Sequence, residues 1–165
     1  MLSDESLKVL EELAKLAPLG TAFIALVAAI IAFTAMYVQR DVARRRAAID
    51  FFFKTEMDDK IIEIYKKFEE TIPGIAALVS NPTFGPNSPE HHDLRKWLNI
   101  CELIAVGVNK GAFSENISLD YWGDIIPDTF NDALLYIRYI RRTPRMGGPL
   151  TYCEQERLCE KWRGR

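Results

Sequence analysis

Glu90-His91-His92-Asp93 is the one run that strings metal-ligating side chains together. Imidazole nitrogens and carboxylate oxygens are the usual ligands of zinc and similar ions. Adjacent histidines on a helix point about 100° apart, however, and no third ligand follows at useful spacing. The run also opens a helix after a proline-rich segment, where polar residues belong anyway, so no metal is expected there. Asn99 and Glu102 lie one helical turn apart among apolar residues from Trp97 to Val108, and they read as a buried polar pair. A carboxylate so placed is costly unless paired or hydrogen-bonded. Arg45, Arg46, Arg138 and Arg141 are the candidate partners. Two readings follow: a structural ion pair joining this helix to a neighbour, or a polar ligand site with Glu102 as a base of raised pKa. The first is the expectation.

Cys101, Cys153 and Cys159 are an odd set, which argues against a closed disulfide framework and suits a reducing compartment. They read as small apolar fillers. Arg138, Arg141, Arg142 and Arg145, with Lys161, Arg163 and Arg165, give a basic end. A solvated face is the expectation, with anionic headgroups or an acidic partner as the alternative. There is no phosphate-binding glycine loop, nucleophile elbow or Cys-x-x-Cys pair. No catalytic residue and no cofactor is therefore assigned.

These side chains need helices to hold them. Thr55 or Asp58 is suited to cap a helix in which Ile61, Tyr65, Phe68 and Ile72 recur at helical spacing, interrupted by Pro73 and Gly74. Residues 81–89 read as a loop. A helix from about Pro89 to Lys110 follows, with Gly111 as its C′ residue. Another stretch runs from about Ser118 to Arg142 with a break or kink at Pro127, and the last helix covers about Leu150 to Trp162. No strand-like alternation stands out. The expected fold is all-α: one N-terminal transmembrane helix, then a small helical bundle of about four to six helices over residues 40–165.

The membrane helix rests on residues 17–39, which hold no charged side chain. About 20 apolar residues at about 1.5 Å each cover a hydrocarbon core of about 30 Å. Its acidic N-terminal flank and its length favour an uncleaved anchor over a signal peptide. Arg40, Arg44, Arg45 and Arg46 form a positive flank that puts the C-terminal domain in the cytoplasm and the N-terminus outside a bacterial inner membrane. Lipid recognition by those arginines is the sharper alternative. Ahead of the span, residues 1–16 read as an amphipathic helix on the outer side, capped by Ser3. Pro18 either bends it into the span or kinks one continuous helix.

On a helical wheel, Ala22, Ala25, Ala28, Ala29, Ala32 and Ala35 share one arc of the span, and Phe23, Ile24, Leu26 and Ile30 take the other side. Small residues on one face let a second helix approach closely. The expected partners are the lipid bilayer and another transmembrane helix, from a second copy or a larger membrane complex. The 165 residues carry a net charge of −2, and nucleic acid is not an expected partner.

Arg45-Arg46-Ala47-Ala48-Ile49-Asp50-Phe51, Leu98-Asn99-Ile100-Cys101-Glu102-Leu103-Ile104-Ala105-Val106-Gly107 and Lys110-Gly111 resemble motifs of a bacterial family labelled domain of unknown function 4760. Tyr121-Trp122, Tyr139-Ile140-Arg141-Arg142 and Glu160-Lys161-Trp162 resemble its later motifs, with Phe130-Asn131 where a tryptophan commonly precedes the asparagine. The resemblance covers roughly Arg44 to Trp162. It implies a membrane-tethered helical domain and supplies no activity. The leading expectation is a single-pass membrane protein acting through protein contacts, as an accessory subunit or scaffold. A ligand sensor or enzyme at Asn99 and Glu102 is the alternative, and an anionic-lipid-surface module is the next.

Overall fold

The computed structural model describes residues 4–163, with side chains described at Lys15 and from Pro18 onward. Secondary structure is helical throughout these residues, so the all-α expectation holds. The chain divides into two units, residues 1–42 and 43–165.

Helix α1 (Asp4–Met57) runs through Pro18 without interruption. Of the two alternatives at that position, the continuous helix is the one formed: proline removes one intrahelical bond, which the turns on either side tolerate. Ser3 and the expected amphipathic faces of residues 1–16 fall outside the described residues and side chains. In the first unit α1 is long and apolar enough to cross a membrane. Its side chains from Pro18 to Arg40 are exposed, the six alanines and the bulky residues alike. The Thr34 hydroxyl donates to the Ile30 carbonyl at 2.8 Å, so this polar group is satisfied within the helix.

In the second unit, the end of α1 is joined by α2 (Asp59–Thr71), α3 (Ile75–Ser80), α4 (Pro89–Asn109), α5 (Glu115–Trp122), α6 (Ile125–Asp132), α7 (Leu134–Arg142) and α8 (Cys153–Trp162). Asp58, not Thr55, caps α2: its side chain accepts from the Lys60 amide at 3.0 Å. Thr55 instead donates to the Phe52 carbonyl at 2.7 Å. Ser88 caps α4, and Pro89 takes the first-turn position where no amide is missed. The stretch expected from Ser118 to Arg142 is three short helices. Its breaks fall at Gly123 and Ala133; Pro127 sits in the first turn of α6, where it fits.

Helix α4 is the central element and packs against α2 on one side and α8 on the other. Leu94, Trp97, Leu98, Cys101, Ile104 and Ala105 are its buried face. It ends as a Schellman motif: Gly111 has φ +69°, its amide donates to the Val108 carbonyl, and the Ala112 amide donates to the Gly107 carbonyl. A Cβ on Gly107 would lie 2.4 Å from the Phe113 ring, so the returning chain needs glycine there.

Candidate functional site

The polar edge of α4 secures the start of α8. Tyr152 precedes α8 in the left-handed region, φ +60°, and offers no side-chain cap. That conformation costs a non-glycine residue about 1 kcal/mol or more. Glu102 supplies the missing cap from the neighbouring helix. Its carboxylate accepts from the Gln155 amide at 2.7 Å and from the Glu154 amide at 3.2 Å. These are the orphan donors that a local capping residue ordinarily satisfies. Asn99 accepts from the Tyr152 hydroxyl at 3.2 Å, and Asn109 donates to the Glu154 carboxylate at 2.8 Å. Arg141 ties the same corner from α7, donating to the Thr151 carbonyl and, at 2.8 Å, to Glu156.

The expected buried polar pair is thereby corrected. Asn99 is exposed and Glu102 is half-buried, because this side of α4 faces the loop before α8 and not the core. Nor is the partner of Glu102 an arginine side chain: it is a helix N-terminus, whose amides and dipole favour an anion. Burial is the largest influence on the Glu102 carboxyl and raises it above the usual range, while the two amides pull it back down.

The histidines diverge. His91 is buried, with its Nδ1 2.9 Å from the Tyr136 hydroxyl, and His92 is exposed. Burial lowers the His91 pKa, so the neutral ring is the form that the core holds. Cys101 and Cys159 are buried and Cys153 is partly so, and all three are free thiols. Burial pushes Cys159 up to about 11.

The arginine flank is split in its roles. Arg40, Arg45 and Arg46 are exposed, whereas Arg44 is half-buried and its Nη2 would lie 3.3 Å from a Cβ at Gly111. Its cation sits over the C-terminal end of α4, where the helix dipole favours it. At the basic end, Lys161 pairs with Glu115 at 2.6 Å and Arg163 donates to Asn131. Arg138 and Arg142 are exposed along α7. Arg165 lies outside the described residues.

Sequence reasoning missed the surface that best qualifies as a site. The end of α1 is apolar on two sides. Ala48, Phe52 and Thr55 turn inward and are buried. Ile49, Phe53 and Met57 turn outward and are 53%, 63% and 66% exposed. With Ile117 and Tyr121 of α5 they line a groove of about 270 Å³, floored by Phe52. Tyr121 stacks on Phe52 with ring centroids 5.5 Å apart. The signal was present as an apolar residue at Ile49, Phe53 and Met57, but periodicity alone assigns such residues to a core.

Among known proteins, a family model described as "Domain of unknown function (DUF4760)" matches residues 22–162. No curated protein matches the chain, and neither does any solved structure. The matched region starts inside the apolar part of α1, earlier than the resemblance at Arg44 implied, so the apolar helix belongs to the unit that the family shares.

Proposed function

From the premise that the chain belongs to the family described as domain of unknown function 4760, we propose that it is an accessory subunit or scaffold of a membrane assembly. Helix α1 anchors it in the bilayer, and the helical domain grips a companion protein. The single observation that carries this reading is the groove of Ile49, Phe53, Met57, Ile117 and Tyr121. Large apolar side chains left contiguous on a surface mark contact sites more often than accidents. The apolar sector of α1 is wider than its own core covers, and the uncovered part at Ile49, Phe53 and Met57 is open to another molecule.

The alanine arc from Ala22 to Ala35 adds a second contact, within the membrane, for a closely approaching helix. Arg40, Arg45 and Arg46 favour the cytoplasm for the domain and the outside for the N-terminus. Phe53→Ser combined with Met57→Ser tests the reading. Both residues are largely exposed, so the fold should survive, and a companion that copurifies with the wild type should be lost. Retention of the same companion at the same yield counts against the groove.

A further inference from the structure

A second cleft lies on another side of the helical domain, between α2 and α6. Its outer part, about 320 Å³, is walled by Tyr65 and Phe68 and rimmed by Glu69, Asp124, Asp128 and Asp132. An inner part of about 280 Å³ adjoins it, sharing Tyr65 and Ile125 and adding Ile61, Trp97 and Trp122. The outer volume falls within the range of about 300–1,000 Å³ typical of small-molecule sites. No lysine or arginine lines either part.

Three features of this cleft point one way. Asp128 and Asp132 lie one turn apart on α6, and Asp124 precedes its first turn at the same spacing, so three carboxylates gather on one side of the cleft. The wall behind them is aromatic: Tyr65 and Trp97 lie with ring centroids 4.6 Å apart. Aromatic faces attract cations, and carboxylates neutralise them. Glu69 stands on the same rim as Tyr65, four residues along α2. Farther in, Trp122 is 2% exposed and its indole N–H has no acceptor. Thr55 and Glu56 also line the inner part, beside the apolar Ile61, Ile62 and Ile125.

We propose that this cleft binds a small amphipathic organic cation, with its ammonium head among Asp124, Asp128, Asp132 and Glu69 and its ring or chain between Tyr65, Trp97 and Ile125. The acidic mouth shares no lining residue with the groove at Phe53, although Glu56 borders both the inner part and that groove, and the proposal does not depend on the scaffold reading.

Phenethylamine is the probe, titrated into the full chain in nanodiscs of neutral lipid while tryptophan fluorescence is followed and empty nanodiscs are subtracted. Ethylamine, phenethyl alcohol and phenylpropionate serve as comparators. Phenethylamine should bind most tightly. Ethylamine, lacking the ring, and the alcohol, lacking the charge, should each bind at least roughly threefold to tenfold more weakly. Phenylpropionate should bind least. Asp124→Asn with Asp128→Asn, both at exposed positions, should weaken phenethylamine by a similar factor and leave phenethyl alcohol unchanged. Equal binding of amine, alcohol and acid overturns the proposal. So does phenethylamine binding that ignores the double substitution, or that is absent at millimolar concentration.

Discussion

Glu102 acts as the N-cap of a helix to which it does not belong. Its replacement by alanine should destabilise the domain by about 1 kcal/mol, as the loss of a capping side chain does elsewhere. Glu102→Gln keeps one acceptor oxygen and should lose less. Chemical unfolding of the detergent-solubilised chain, followed by circular dichroism, measures both; an unchanged midpoint for Glu102→Ala contradicts the assignment. His91 makes a second residue-level prediction. Its folded pKa lies below the ordinary 6.5 because the ring is buried. The unfolded chain then takes up the proton first, so stability is complete above about pH 6.5 and falls as the pH drops toward the folded pKa. Melting temperature should decline over that window, and less steeply in His91→Phe. The half-buried Glu102 acts oppositely, being raised, and so does not produce this loss. At this scale the sequence picked out Glu102 as unusual but not its partner. A cap supplied from one helix to another joins residues about fifty positions apart, and no local spacing encodes it.

Elements were more legible than residues. The boundaries of α4 follow from Ser88 and Pro89 at one end and Gly111 at the other, each with a local backbone reason. Gly111→Ala should cost about 1 kcal/mol because φ +69° disfavours a Cβ. Gly107→Ala should cost about 1–3 kcal/mol because the new methyl meets the Phe113 ring. Unfolding midpoints test both, and Gly148→Ala, which meets no atom within 4 Å, is the control. The break at Ala133 was invisible because alanine carries no turn signal; packing of α6 and α7 sets it instead. Pro18 left a bend and a continuous helix both open, and the helix continues, since one long enough on both sides absorbs one missing bond. For the alanine arc, Ala28→Leu with Ala32→Leu should weaken association with a transmembrane partner, and Ile24→Leu on the opposite side should not. Native gels of gently solubilised membranes separate these outcomes.

At the scale of the molecule, composition and the long apolar run led directly to an all-α chain with one helix fit to cross a membrane. Two surfaces were not legible: the groove at Phe53 and the acidic cleft between α2 and α6. Both depend on which side of a helix remains uncovered once its neighbours have packed, and a single helix's pattern does not record that. The central claim is that the helical domain holds a companion protein through the groove of α1 and α5. The most direct measurement is native mass spectrometry of the chain extracted gently from the membranes of its own cells. The account predicts a complex heavier than the chain alone, with a defined companion that disappears in the Phe53→Ser, Met57→Ser variant. A clean monomer from wild-type membranes would contradict it.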